Sequence, residues 1–296
     1  MIQAENLTIS IPGTDCNKNC PYCISKMTPT IKYNENLWYL NFDKVKTVAK
    51  ASGVYSVLFT GKGEPTLNLF DLKDALNHFK EFPTELQTNG RIFNENPSLI
   101  KEFSKYKLNT IAISIDLINH GLSAQLEKLK FALKVANDYG INIRLSINVT
   151  DHFRNYYTNG FNGCLYIDNP FYILTLCKDY KIDQLLFRKI TKPFNNNWID
   201  NYFNEYNELV IKNNWIDKYT SSNVYKEIYD NFMKLNHSCV RMTTNGVSIW
   251  DFEGISVVFS DYCIQEMSKS NNIRSLIYQA DGHLYTSWNS KASKLF

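Results

Sequence analysis

Short apolar segments rich in β-branched residues recur along the first two thirds of the chain. Their length and composition are typical of buried strands. Six such strands are predicted, at residues 7–11, 54–59, 84–87, 110–115, 141–149 and 182–190. Apolar residues with helical spacing lie between them, as in residues 72–79 and 122–136, and Gly140 is placed to end the second of these helices. Strand and helix therefore alternate.

This alternation predicts parallel strands joined by right-handed crossovers. Six such units can form an open doubly wound sheet or a partial barrel. In both architectures the functional residues gather at the carboxyl ends of the strands. We therefore expect an α/β fold whose site lies where the six strands end.

The pattern changes after about residue 195. Residues 198–214 and 224–235 are predicted to be helical, and residues 246–250, 255–260, 275–279 and 283–285 to be short strands. The pair Asp281-Gly282 indicates a hairpin turn. We expect one domain over residues 1–195 and a C-terminal extension over residues 196–296, which would cover the opening of the first domain and shape a substrate site.

Composition supports a folded protein and narrows the classes of partner. The chain has 44% hydrophobic residues and a formal charge of +3, which is too small an imbalance to indicate nucleic acid or an acidic membrane. No window approaches the ~20 apolar residues of a membrane span, and no export signal is evident. We expect a cytoplasmic protein. In a reducing compartment, clustered cysteines indicate a metal site more often than disulfides.

Three of the seven cysteines lie in the segment DCNKNCPYCISK, spaced CxxxCxxC directly after the first predicted strand. Structural zinc needs four ligands, usually in two pairs, and the chain has no second CxxC. A four-iron cluster held by three thiolates leaves one iron open to another ligand. The alternatives are a chance grouping of three cysteines in one loop and a redox or zinc site with a distant fourth ligand.

Cys16, Cys20 and Cys23, with the aromatic Tyr22 before the third cysteine, resemble the signature of the radical S-adenosylmethionine superfamily. The resemblance implies a partial (β/α)6 TIM-like barrel and a [4Fe-4S] cluster bound by these cysteines. It also implies an oxygen-sensitive enzyme that reductively cleaves S-adenosyl-L-methionine to a 5′-deoxyadenosyl radical. The cofactor supplies the difficult chemistry, and the protein positions and shields it.

The segment FTGKGEPTL, after the second strand, resembles the glycine-rich motif that holds the amino group of the cofactor's methionine in this family. By this resemblance Gly61, Gly63 and Glu64 would bind S-adenosylmethionine. Glycines allow close backbone approach, and a carboxylate can accept hydrogen bonds from an ammonium group. Lys62 between the glycines departs from the family pattern. The alternative is that the segment is an ordinary strand-to-helix turn that binds no ligand.

Polar residues at the ends of the next four strands extend the candidate cofactor site. The resemblance places the methionine carboxylate, the ribose and the adenine near these residues, which are Thr88, Asn89, Ser114, Asp116, Asn148 and Arg188. Ser114 and Asp116 share one face of their strand because side chains alternate along a strand. Turn formation by Asn89 and Gly90, loop capping by Asp116 and salt bridging by Arg188 are the structural alternatives.

The remaining cysteines are Cys164, Cys177, Cys239 and Cys263, and their spacing indicates no second cluster. Cys177 lies in an apolar helical pattern and is expected to be buried. The aromatic segment 150–166, with His152, Arg154, Tyr156 and Tyr157, is expected to be either a lid over substrate or an exposed loop. His283, in the late hairpin, is not expected to be catalytic.

The function we expect is hydrogen abstraction from an organic substrate that the sequence does not identify: a metabolite, nucleotide or peptide. An activating enzyme for a glycyl-radical protein is the second hypothesis, and a non-catalytic metal-binding or redox module is the third. An electron donor such as flavodoxin or ferredoxin is the partner implied by the resemblance. No residue is singled out as catalytic, because the fold hosts many reactions.

Overall fold

A computed structural model describes residues 2–20, 22–23, 25, 31–116, 121–150, 169–190, 223–243, 246–261, 272–288 and 290–296. The aromatic segment 150–166 lies outside these ranges except for Thr150, as do the first helix predicted in the extension (198–214), Cys164 and Cys263.

All six predicted strands are present and parallel, in sequence order across one sheet. They are β1 (Gln3–Ile11), β2 (Ser56–Gly61), β3 (Thr84–Thr88), β4 (Leu108–Ile115), β5 (Asn142–Val149) and β6 (Gln184–Lys189). Their bounds differ from the predicted ones by a few residues at the ends, where the apolar pattern is least informative. The predicted α/β class is confirmed.

Eight α-helices are described. They are α1 (Glu35–Leu40), α2 (Phe42–Ala51), α3 (Leu69–Phe79), α4 (Arg91–Glu95), α5 (Ser98–Ser104), α6 (Leu122–Asp138), α7 (Pro170–Asp179) and α8 (Asn223–Phe232). The predicted end of α6 is confirmed, because Gly140 follows it with φ +66°, a conformation that glycine adopts without strain.

Strands of the C-terminal extension join both edges of the same sheet. The extension contributes β7 (Ser238–Met242), β8 (Ser248–Phe252), β9 (Ile255–Ser260), β10 (Asn272–Tyr278) and β11 (Leu284–Tyr285). The strand order is β11-β10-β1-β2-β3-β4-β5-β6-β9-β8-β7. β10 pairs in parallel with β1, and β9 pairs in parallel with β6. The six-stranded unit is thus an open, barrel-like sheet continued at each edge, and the covering role of the extension stays a prediction.

The two faces of the sheet differ in polarity. Leu7, Ile9 and Ile11 of β1 are buried in the hydrophobic core beneath the helices. The alternating residues Thr8 and Ser10 are buried on the opposite face. On that face Arg144 of β5 forms an ion pair with Glu85 of β3, which also accepts a 2.9 Å hydrogen bond from Gln87 Nε2. The face opposite this core therefore carries buried polar and charged side chains in the described part of the sheet.

The late hairpin packs on α1. Gly282 has φ +78°, and a Cβ atom there would lie 2.5 Å from the Leu37 carbonyl carbon. Asn41 Nδ2 donates a 2.7 Å hydrogen bond to the carbonyl of Gly282. The predicted Asp281-Gly282 turn is confirmed, and packing explains its glycine. None of the described helices is long and apolar enough to cross a membrane.

Candidate functional site

The cysteine loop follows β1 and lies against the carboxyl ends of β2 to β5. Cys16 is exposed, whereas Cys20 and Cys23 are partly buried. The backbone N–H of Cys23 donates a 3.3 Å hydrogen bond to the carbonyl of Cys20, which joins two of the three cysteines in one turn. Burial, together with the nearby Asp116 carboxylate, raises the pKa of Cys20 to about 11.

Gly63 packs directly on the chain that leads into this loop. A Cβ atom at Gly63 would lie 2.1 Å from the carbonyl oxygen of Asp15, closer than any real contact. The next residue, Glu64, donates its backbone N–H to the same carbonyl at 2.8 Å. Packing of two loops thus requires this glycine. From the sequence we expected Gly61 and Gly63 to let a ligand approach the backbone closely, and that role remains a prediction.

The carboxylate of Glu64 is buried and holds two strand ends together. Its Oε1 accepts hydrogen bonds from Thr66 N at 3.1 Å, Thr66 Oγ1 at 2.7 Å and Thr88 Oγ1 at 2.6 Å. Its Oε2 accepts a 2.8 Å hydrogen bond from the backbone N–H of Asn89. Oε1 thus accepts three hydrogen bonds and Oε2 only one, so Oε2 can accept a further hydrogen bond.

Asn89 connects the end of β3 to the cysteine loop. Its Nδ2 lies 2.7 Å from Asn17 Oδ1 and 3.7 Å from Cys16 Sγ. Arg91 adds a 2.8 Å hydrogen bond from Nη1 to the carbonyl of Asn17. Sequence reasoning missed Asn17 and Arg91, although a basic residue directly after Asn-Gly was a visible signal. Together these contacts fix the position of the first cysteine.

A second network surrounds the ring of Tyr22, which is buried. The Tyr22 hydroxyl donates a 3.1 Å hydrogen bond to Asp116 Oδ1 and also hydrogen-bonds the side chain of Asn148. Cys20 Sγ lies 3.9 Å from Asp116 Oδ2. Burial, and then the Asp116 charge, raise the pKa of the tyrosine, so its hydroxyl keeps its proton. One cysteine loop residue thus joins the ends of β4 and β5.

The remaining candidates lie on the same polar face. Ser114 shares the face of Asp116 and pairs in register with Ser146 of β5. Arg188 of β6 pairs in register with Asn148. The structure therefore brings part of the predicted set into two hydrogen-bonded networks around the cysteines: Glu64, Thr88, Asn89, Asp116 and Asn148. Strand register places Ser114 and Arg188 beside those networks.

The other described cysteines lie away from this loop. Cys177 is buried in α7, as expected, and burial raises its pKa to about 12. Cys239 is exposed on β7, the edge strand of the sheet on the side of β6. In the described ranges no three or more His, Cys, Asp or Glu side chains are grouped to hold a metal ion.

A sequence profile described as the Radical SAM superfamily matches residues 10–163, more than half of the 296-residue chain. The chain belongs to the radical SAM superfamily. The cofactors of this superfamily are a [4Fe-4S] cluster and S-adenosylmethionine. The donor set of the cysteine loop fits such a cluster, because three thiols lie on one short loop and thiolates are the usual protein ligands of iron–sulfur clusters.

Two curated relatives match part of the chain. An uncharacterized protein of Methanocaldococcus jannaschii is 28% identical over 204 residues, which is 66% of this chain and 61% of that protein. A GTP 3′,8-cyclase of Clostridium acetobutylicum is 27% identical over 149 residues, covering 49% of this chain and 44% of that enzyme. The radical SAM chain thus spans less than two thirds of either relative.

Among solved structures, Streptococcus suis SuiB is 20% identical, with a TM-score of 0.45, over 69% of this chain and 47% of that chain. TsrM of Kitasatospora setae, a radical S-adenosylmethionine methyltransferase, is 10% identical, with a TM-score of 0.41, over 63% and 34% of the two chains.

Proposed function

We propose that Cys16, Cys20 and Cys23 bind the [4Fe-4S] cluster and that S-adenosylmethionine lies across the ends of β2 to β6. The observation that carries this proposal is the convergence on one cysteine loop of side chains from two neighbouring strand ends, those of β3 and β4. Asn89 contacts Cys16, and Asp116 contacts both Cys20 and Tyr22. The carboxyl ends of parallel strands are the place where α/β folds of this kind carry their functional sites.

Each network has a proposed task toward the cofactor. The Glu64 carboxylate, with acceptor capacity left on Oε2, accepts from the methionine ammonium beside Gly61 and Gly63. Thr88 fixes Glu64, and Asn89 lies next to the methionine carboxylate. Ser114 and Asp116 accept hydrogen bonds from the ribose, while Asn148 and Arg188 contact the adenine and carboxylate region.

When bound to the reduced cluster, S-adenosylmethionine supplies the 5′-deoxyadenosyl radical, which abstracts hydrogen from an organic substrate. The protein holds the reacting groups in position and excludes water from the polar face of the sheet. An electron donor such as flavodoxin or ferredoxin would reduce the cluster. The extension over residues 196–296 is proposed to shape the substrate site, and a cytoplasmic location is part of the same proposal.

The proposal is tested by anaerobic reconstitution with iron and sulfide. We expect a brown protein with four irons per chain, by the stoichiometry of the cluster, that forms 5′-deoxyadenosine from S-adenosylmethionine in the presence of dithionite. The Cys20→Ala variant should bind less iron and form no 5′-deoxyadenosine. A colourless wild-type protein that binds zinc instead would contradict the proposal.

The same assay separates the two enzymatic hypotheses. Turnover of a small molecule without another protein supports direct catalysis, whereas activity that depends on a glycyl-radical partner supports the activator. GTP is one compound to include in the screen, because the name of the Clostridium relative contains it.

A further inference from the structure

Lys62 is the residue that departs from the family pattern, and the structure gives it defined surroundings. It lies between Gly61 and Gly63, is partly buried, and carries its Nζ 5.6 Å from the ring centre of Trp288. An ammonium group at this distance from an indole face is held by a cation–π interaction. Because Trp288 belongs to the C-terminal extension, the extension directly contacts the loop after β2.

The loop that carries Lys62 is fixed on the cysteine loop. Gly63 packs on the Asp15 carbonyl, and Glu64 donates its N–H to that carbonyl at 2.8 Å. Lys62 also interacts electrostatically with Cys23, and burial lowers its pKa to about 8. The positive charge is therefore partly shielded from bulk water and acts on the cysteine loop through Cys23.

We propose that Lys62, held by Trp288, is an electrostatic positioning residue that raises the midpoint potential of the [4Fe-4S] cluster. The inference rests on the proposed binding of the cluster by Cys16, Cys20 and Cys23. Three thiolates make the bound cluster anionic, and reduction by one electron from the donor adds a further negative charge. A nearby cation stabilises the reduced form more than the oxidised form, and the effect is strongest where water is excluded.

The experiment is a redox titration of the anaerobically reconstituted protein, followed by electron paramagnetic resonance of the reduced cluster. The variants are Lys62→Gln, which removes the charge, and Lys62→Arg, which retains it. Trp288→Leu removes the aromatic ring and leaves the lysine in place. Lys128→Gln, at an exposed position on α6, makes the same change in net charge away from the loop.

We expect Lys62→Gln to shift the midpoint potential to more negative values and Lys62→Arg to shift it much less. Trp288→Leu should give an intermediate shift, because the ammonium becomes more hydrated, and Lys128→Gln should give none. An unchanged potential in Lys62→Gln would overturn the inference. Equal shifts in Lys62→Gln and Lys62→Arg would also overturn it, because shape and not charge would then be responsible.

Iron content and the visible spectrum separate failure of this inference from failure of the proposed function. If wild type binds no cluster, the proposed function and the inference both fail. If every variant carries the cluster and the potentials agree, only the inference fails. Loss of the cluster in Lys62→Gln but not in Lys62→Arg would support the inference, because it would show that the positive charge at position 62 acts on the cluster.

Discussion

The hydroxyl of Tyr22 donates a 3.1 Å hydrogen bond to Asp116, although the two residues are more than ninety positions apart in the chain. The aromatic residue of the cysteine motif is therefore a structural connection to the fourth strand. It orients a carboxylate that also faces Cys20. If Cys20 binds the cluster as proposed, its thiolate would have no proton to donate to Asp116. The Asp116 oxygen would then be available to another donor.

Substitution of Asp116 is expected to weaken cofactor binding while the fold is retained. Asp116→Asn keeps an oxygen for the Tyr22 hydroxyl but loses the charged acceptor for the ribose. Hydrogen bonds to charged groups contribute ~1.5–3 kcal/mol, so the dissociation constant of S-adenosylmethionine should rise by roughly 10-fold or more. Equilibrium binding to the reconstituted protein measures this. Asp138→Asn, in the exposed pair with Lys134, is the control and should bind normally.

Glu64→Gln is expected to destabilise the protein even without cofactor. The carboxylate accepts from four donors, and an amide must turn its NH₂ group toward at least one of them. An unpaired buried donor costs ~1–3 kcal/mol, which urea unfolding would detect. Glu95→Gln, in a surface pair with Arg91, should change stability little. Equal stabilities of wild type and Glu64→Gln would show that this network is not formed.

Gly63→Ala is expected to disturb the cysteine loop, whereas Gly61→Ala is expected to be mild. The added methyl group at position 63 would lie 2.1 Å from the Asp15 oxygen, and at position 61 it would lie 3.3 Å from the Ile11 oxygen. The first contact forces the loops apart and the second needs only a small shift. Iron content after reconstitution should therefore fall sharply in Gly63→Ala alone. A normal iron content in that variant would contradict the observed packing.

The cysteines provide a test within one residue type. Alanine at position 16, 20 or 23 should abolish the visible absorption of the reconstituted cluster. Cys239→Ser, at an exposed position on β7, should leave the iron content unchanged. Loss of the cluster in Cys239→Ser would mean that the ligand set includes a residue outside the cysteine loop.

Comparing two glycine substitutions separates the effect of packing in the late hairpin from the effect of backbone strain. Gly282 (φ +78°) and Gly246 (φ +81°) share a backbone conformation that favours glycine. A Cβ atom at Gly282 would lie 2.5 Å from Leu37. A Cβ atom at Gly246 would have none of the described atoms within 4 Å, apart from those of its chain neighbours. Gly246→Ala should cost ~1 kcal/mol from strain alone. Gly282→Ala should cost more, and the difference in unfolding free energy reports the contact with α1.

The sequence predicted the six strands and the last turn because apolar periodicity and glycine placement are local properties. It also placed the candidate cofactor residues, because strand ends of a parallel sheet meet at one edge. It did not predict that β9 and β10 extend the sheet at opposite edges, since pairing across the chain leaves no local pattern.

The partners of individual side chains were also beyond the sequence. Trp288 lies more than two hundred positions from Lys62, and nothing in either segment indicates their contact. Gly63 was predicted to bind the cofactor, whereas its packing on the Asp15 carbonyl oxygen became visible only in the structure. Such contacts depend on the geometry of the whole sheet.

The pairing of β1 with β10 has a consequence for synthesis of the protein. Gln3 pairs with Asn272, so one edge of β1 stays unpaired until residue 272 and the rest of β10 have left the ribosome. Contacts so distant in sequence form slowly, and an open strand edge invites pairing with other chains. The nascent chain is thus expected to need protection by chaperones until β10 has emerged, and shortened versions that stop before residue 272 should aggregate.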